Sequence, residues 1–248
     1  MHIALARDES GAPEIFRSLQ GEGPNAGRIR TFIRLSGCNL HCVWCDTAYT
    51  WNWRGTPFAH EQAQKFDPEA ESIKIPTADA AMQAAQLASE GFVITGGEPL
   101  VQRAVLPGLI DALKRHAPAA LIEIETNGSI APPQALIDRV DLFVVSPKLA
   151  HSGNDANLAL KAQPLAAFAA VPKAVFKFVA RTAEDVADAA ALARLHGISP
   201  PRIYIMPEGV SAEALSACAR TLAPAILSHG FNFTPRLHIE LFGAKRGV

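Results

Sequence analysis

The stretch RLSGCNLHCVWCDTAYTW, residues 34–51, places Cys38, Cys42 and Cys45 within eight positions of a 248-residue chain that holds only four cysteines. It follows directly on RTFIRLS (30–36), an alternating apolar run that reads as a strand. The thiols therefore sit in a loop at the carboxyl end of a strand. In parallel α/β architectures that is where ligands bind, whether the sheet is closed or open. The fold then turns on whether other strands end in the same way.

Four more stretches do. FVITG (92–96) runs into TGGEP, LIEIET (121–126) into ETNGS, LFVVS (142–146) into SPK, and RIYIM (202–206) into MPEG. AVFKFVA (174–180) and RLHIELF (236–242) complete seven alternating runs expected as strands. Helical periods lie between them: TADAAMQAAQLASEG (77–91), TAEDVADAAALARLHG (182–197) and SAEALSACARTLAP (211–224). Two of these open on Thr or Ser with an acid near the third position, an N-cap pattern, and Gly closes the first two as a C′ residue. Strands separated by helices imply parallel βα units. The expected fold is α/β, an incomplete or compacted (βα) barrel of about six to seven parallel strands. An open doubly wound sheet is the rival, since strand order is not visible in a sequence. Residues 1–248 are expected to form one domain, and the long connection at about 50–76 is expected to be a functional flap. Loops are polar and rich in Gly and Pro in any case, so the five motifs carry weight together rather than singly.

Composition narrows the classes. A formal net charge of -1 with scattered Lys and Arg argues against a nucleic-acid partner, which needs clustered basic residues. No run of about 18 apolar residues appears, and residues 1–30 lack an apolar signal core. No membrane partner is expected, and the expected location is cytoplasmic. There, clustered thiols read as metal ligands or redox groups rather than disulfides.

Structural zinc takes four protein ligands, often as two pairs from separate segments. His41 could complete a Cys-Cys-Cys-His set, although it directly precedes Cys42 and one short loop makes a poor tetrahedron. An iron–sulfur cube is broader, and each thiolate takes a different iron. Three thiolates leave one iron open, as a reactive centre requires. Cys218, in EALSACARTL, reads as a buried helical thiol. Arg34 lies near the end of an apolar strand, where an unpaired guanidinium is costly, so a ligand or a neighbouring acid must meet it. In LIEIET, Glu123 and Glu125 share the face opposite Ile122 and Ile124. If that face is the lumen, both carboxylates need partners.

CxxxCxxC followed by Asp, with GGEP after the next strand, resembles the radical S-adenosylmethionine enzymes. Within that superfamily, FRSLQGEGP (16–24), FIRLSGCNLHCVWCDT (32–47), TGGEP (95–99), ETNG (125–128) and SPK (146–148) resemble the 7-carboxy-7-deazaguanine synthases. The resemblance implies a lyase that contracts 6-carboxy-5,6,7,8-tetrahydropterin to 7-carboxy-7-deazaguanine with loss of ammonia, in queuosine-type biosynthesis. An activase for a glycyl-radical enzyme would share the cluster and GGEP but has no need of LQGEG or Arg34. A zinc or iron–sulfur interaction protein would share only the thiols.

By the same resemblance, Cys38, Cys42 and Cys45 hold a 4Fe–4S cluster whose free iron takes S-adenosylmethionine. Cofactor contacts fall on Trp44 (alternatively a packing anchor), Cys45, Asp46, Gly97, Glu98, Glu125, Ser146, Pro147 and Lys148. MPEG adds Met206, Pro207, Glu208 and Gly209. Glu98 could instead cap the next helix. Substrate contacts fall on an N-terminal segment (about 14–30) through Leu19, Gln20, Gly21 and Glu22, and on Arg34, Thr95 and His238. Arg34 would grip the substrate carboxylate, and His238 could equally be an interior histidine. Thr47 would reach a Mg²⁺ ion. A homodimer and an electron donor such as flavodoxin or ferredoxin are the implied partners.

Overall fold

A computed structural model describes residues 1–248 and threads ten strands into one sheet. They are β1 (His2–Ala6), β2 (Ile15–Leu19), β3 (Ile29–Leu35), β4 (Ser72–Pro76) and β5 (Gly91–Gly96), then β6 (Leu121–Thr126), β7 (Leu142–Val145), β8 (Ala174–Ala180), β9 (Ile203–Pro207) and β10 (Asn232–Phe233). The order is β10-β9-β8-β7-β6-β5-β3-β1-β4, with β2 beside β3. From β3 through β5 to β10 every pairing is parallel. Six strands of useful length and a two-residue seventh thus make the parallel array, and the sheet does not close. This is the incomplete barrel expected from the sequence.

Period two decides what each strand presents to either side. Ile33 and Leu35, Phe92 and Ile94, Ile122 and Ile124, and Phe176 and Phe178 join the main buried apolar cluster, together with side chains from the helices. Their neighbours Arg34, Thr95, Glu125 and Lys177 line a cavity on the opposite, concave face. The polar residues embedded in apolar strands therefore gather in one place because the strands alternate in phase.

The edges differ from the sequence reading. RLHIELF is not a strand: Leu237–Phe242 is a helix, and β10 provides the seventh parallel strand instead. The alternation Leu237, Ile239, Leu241 is accidental, since only Ile239 is buried while Leu241 is exposed. The Leu237 N–H donates to Gly21 O (3.0 Å), and Ile239 N–H turns back to Arg236 O (2.9 Å), so the backbone leaves the sheet. The antiparallel strands β1, β2 and β4 had no forecast. β4 lies inside the segment expected as a flap and pairs along β1. The rest of that segment is stapled by Lys65, whose ammonium donates to Asn52 Oδ1 (2.7 Å) and the carbonyls of Thr56 (3.0 Å) and Phe58 (2.7 Å).

The helix Ala183–His196 opens with a capping box between Thr182 and Asp185 and closes on Gly197 in the left-handed region, as its sequence suggested. The helix Thr77–Gln86 stops earlier than expected, and Gly91 starts β5 rather than capping. The helix Ala212–His229 runs through Pro224, because Leu222 and Ile226 continue its buried stripe.

Gly96 and Gly97 place TGGEP against the thiol loop. Gly97 N–H donates to Leu35 O (2.9 Å) and Glu98 N–H to Gly37 O (2.8 Å). Gly96 has φ of 126°, and a Cβ on Gly97 would collide with the Gly37 carbonyl. Gly97→Ala must therefore push the two loops apart. It is expected to cost about 3 kcal/mol, at the upper end for overpacking, and urea unfolding of the metal-free protein measures it.

Candidate active site at the strand ends

A cavity of about 570 Å³ opens at the carboxyl ends of the parallel strands. Of the site residues picked from the sequence, Glu98, Pro147, Pro207 and Gly209 lie off its wall, and all the others line it. The five strand-end motifs do converge.

The three thiols enter from the loop after β3, and each sulfur has an N–H near it. Leu40 N–H approaches Cys38 Sγ at 3.5 Å, the Asn154 side-chain amide approaches Cys42 Sγ at 3.2 Å, and the Trp51 indole approaches Cys45 Sγ at 3.3 Å. Burial first, then the Asp46 and Cys42 charges, push the Cys45 thiol up to about 11. Burial, with the Glu98 charge, raises Cys38 further. His41 does not join the thiols: its ring stacks on Phe58, while its backbone N–H donates to Asn154 Oδ1 (2.8 Å). Trp44 stacks on His151 with ring centroids 5.8 Å apart, and the Lys148 ammonium sits 5.7 Å over its ring. Trp44 is thus both packed and on the cavity wall. Thr47 Oγ1 lies 3.5 Å from Cys45 Sγ.

Glu98 takes the capping role. Its carboxylate is fully buried and accepts from Leu100 N (2.8 Å), Thr126 Oγ1 (2.7 Å) and Asn127 N (2.6 Å). It ties the TGGEP turn to the ETNG turn from behind the cavity. Burial outweighs these bonds and leaves its carboxyl above the ordinary range. Cys218 is only partly buried, with its sulfur 3.4 Å from Ala180 O and away from the thiol loop.

Two polar networks fill the lumen. In the first, Gln20 Nε2 donates to Glu123 Oε1 (2.8 Å) and Glu125 Oε1 (3.1 Å), Asn25 Nδ2 to Glu123 Oε2 (2.7 Å), and Thr95 Oγ1 to Glu125 Oε2 (2.8 Å). In the second, Glu22 pairs with Lys177, with Arg236 (3.3 Å) and more distantly with His238 (4.0 Å), and Arg236 also pairs with Asp46. Burial opposes the Glu22 charge, but Lys177 and Arg236 overcome it and hold its carboxyl well below the usual range. Arg34 Nε donates to Glu14 Oε1 (2.8 Å). Burial alone would lower the Arg34 value, yet the Tyr49 oxygen and the Glu14 carboxylate more than offset it.

Comparison with known proteins decides the family. Residues 19–164 match the family described as 4Fe-4S single cluster domain. A 7-carboxy-7-deazaguanine synthase from Pyrobaculum aerophilum is 36% identical over 94% of this chain and 95% of its own. The chain belongs to the 7-carboxy-7-deazaguanine synthases. A second synthase, from Rhodopirellula baltica, is 32% identical over 95% of this chain and 87% of its own. The crystal structure of QueE from Escherichia coli superposes with a TM-score of 0.65 over 95% of both chains at 24% identity, which speaks to the fold.

The donor set suits the family's cluster. Three thiols face one cavity, and N–H donors near each sulfur can steady the charge of a bound cluster. Three thiols from one short loop suit a cluster in which each thiolate takes a different iron.

Glu14, Tyr49, Lys177 and Arg236 escaped the sequence reading. Lys177, inside AVFKFVA, carried the same signal as Arg34: a charge within an alternating apolar strand. Arg236 was hidden in a run misread as strand, and nothing local marked Glu14 or Tyr49.

Glu123 gives a pH signature. Burial, and then the neighbouring Glu125, raise its carboxyl from 4.5 to about 7. Between those values the folded chain holds a proton that the unfolded chain has lost, so stability falls as pH rises through the window. Glu123→Gln is expected to remove about 1–3 kcal/mol of that decline. The check is the difference between wild-type and variant urea stabilities from pH 4 to 8.

Proposed function

We propose that the chain converts 6-carboxy-5,6,7,8-tetrahydropterin to 7-carboxy-7-deazaguanine and ammonia. The observation that carries this is one cleft shared by three N–H-flanked thiols and by a lumen matched to an anionic pterin. Substrate and products differ by ammonia alone, so the reaction is redox-neutral overall and makes the chain a carbon–nitrogen lyase.

Cys38, Cys42 and Cys45 would hold the 4Fe–4S cluster, and the wall bearing Trp44, Asp46, Gly97, Ser146, Lys148, Met206 and Glu208 would seat S-adenosylmethionine. When bound, the pair would supply the radical chemistry that activates the substrate at C6. The terminal nitrogens of Arg34 make no bond within the protein and would take the substrate carboxylate as a fork. Gln20, Glu22, Glu125, Thr95 and His238 offer donors and acceptors to the pterin edge, with residues 14–30 as the substrate-binding segment. Glu125, already holding Gln20 and Thr95, can exchange those bonds for ligand N–H groups. Thr47 offers a hydroxyl to Mg²⁺, which takes oxygen ligands and keeps several waters. The segment at about 50–76 would form the outer wall, because Trp51, His60 and Phe66 line the cavity and His60 Nε2 meets Cys45 O at 2.8 Å. A homodimer, a flavodoxin or ferredoxin donor and a cytoplasmic setting complete the proposal. No helix is long and apolar enough to cross a membrane.

Anaerobic reconstitution followed by turnover with carboxytetrahydropterin, reductant, S-adenosylmethionine and Mg²⁺ tests it. The expected product is 7-carboxy-7-deazaguanine by mass. Deoxyadenosine without that product would retain radical chemistry and remove the proposed substrate.

A further inference from the structure

Glu14 is the least explained charge in the molecule. Its side chain is 0% exposed, yet it lies outside every motif that marks the family. It sits one residue before β2, where Arg34 N–H donates to Glu14 O (3.1 Å) and Glu14 N–H to Ala6 O (2.8 Å). Backbone pairing thus fixes Glu14 opposite Arg34 across the two strands. Its carboxylate then receives Arg34 Nε at 2.8 Å and the Tyr49 hydroxyl at 3.0 Å from either oxygen. Tyr49 is itself buried, and the Arg246 guanidinium packs 3.4 Å from its ring centroid while pairing with Glu71 (2.9 Å). The Phe16 ring, 5.7 Å from Arg34 Cζ, closes another side.

The consequence for Arg34 is directional. A guanidinium has five N–H donors in a rigid plane. With Nε committed to Glu14, the plane is set, and the two terminal nitrogens, which make no bond within the protein, are left for a ligand in the cavity that Arg34 lines. A free arginine would instead lose rotamer entropy on meeting a ligand, which weakens binding.

We infer that Glu14 and Tyr49 are positioning residues that set the site's selectivity for a carboxylate-bearing pterin by locking the plane of Arg34. This rests on Arg34 being the carboxylate contact of the proposed substrate. Glu14 lies off the cavity wall and acts through the guanidinium; Tyr49, whose side chain meets the wall, acts through the hydroxyl that holds Glu14.

The test compares two ligands by anaerobic calorimetry without reductant: 6-carboxytetrahydropterin and a tetrahydropterin with methyl at C6. Wild type is expected to prefer the carboxylated ligand strongly. Glu14→Gln and Tyr49→Phe should each reduce that preference, by about tenfold or more for Glu14→Gln, while methylpterin affinity stays within about twofold. Combining either with Arg34→Ala should add nothing to the loss from Arg34→Ala alone, as expected when one residue acts through the other. Tyr49→Phe removes a single oxygen and keeps the ring under Arg246, so it covers the case in which Glu14→Gln folds poorly. Equal weakening of both ligands would mean a purely structural role, and unchanged preference would mean none; either overturns the inference. A wild type with no preference would overturn the reading of Arg34, and the inference with it.

Discussion

Arg34→Ala is expected to weaken carboxytetrahydropterin binding by roughly 100-fold or more, the range seen when one partner of a desolvated charge pair is removed. Cleavage of S-adenosylmethionine to deoxyadenosine should continue, uncoupled from product. The reason is location: Arg34 stands on β3 before the thiol loop, and it makes no contact with a cysteine. The substitution also strands the buried Glu14 carboxylate with only Tyr49, so the protein should lose stability as well. Arg34→Lys separates the two effects, since it keeps a positive partner for Glu14 while removing the planar fork. Dissociation constants and deoxyadenosine yields, measured on all three proteins, provide the check. Equal loss of binding and of uncoupled cleavage would assign Arg34 to the scaffold.

Lys177→Met should have the largest effect on folding. The Lys177 side chain is 7% exposed and pairs with Glu22, whose side chain is 13% exposed, so its removal leaves a buried carboxylate to Arg236 and His238. Breaking a buried pair from one side costs about 3–5 kcal/mol. For a chain of this size that lowers Tm by roughly 6–20 °C. Adding Glu22→Gln removes the stranded charge and should restore part of the loss, although the substrate contact proposed for Glu22 would be gone. Thermal unfolding of the metal-free proteins reads the cycle. A Lys177→Met variant as stable as wild type would contradict the buried network.

The parallel array was legible because six strands carried period-two patterns, and five of them ended in a motif of unusual composition. Arg34, Glu123 and Glu125 were found by one argument: a charge inside an apolar strand must have somewhere to go. That argument applied equally to Lys177, which was passed over because no motif followed its strand. The helix Leu237–Phe242 could not be seen, since Leu237, Ile239 and Leu241 mimic alternation, and only the tertiary hold on Arg236 and Gly21 turns the chain. Glu98 shows the opposite limit. Its place in TGGEP pointed to a ligand, whereas its partners at Leu100, Thr126 and Asn127 are all within the protein. Sequence spacing brings a residue to the right loop without saying which way it faces.

The thiol loop's claim is that three protein ligands leave an iron for S-adenosylmethionine. Electron paramagnetic resonance of the anaerobically reconstituted, dithionite-reduced protein, recorded with and without S-adenosylmethionine, tests this most directly. The expected result is the spectrum of a reduced 4Fe–4S cluster whose g values shift when the cofactor is added, and which is lost in Cys42→Ala. A spectrum indifferent to the cofactor, or a colourless protein with one zinc per chain, would contradict it.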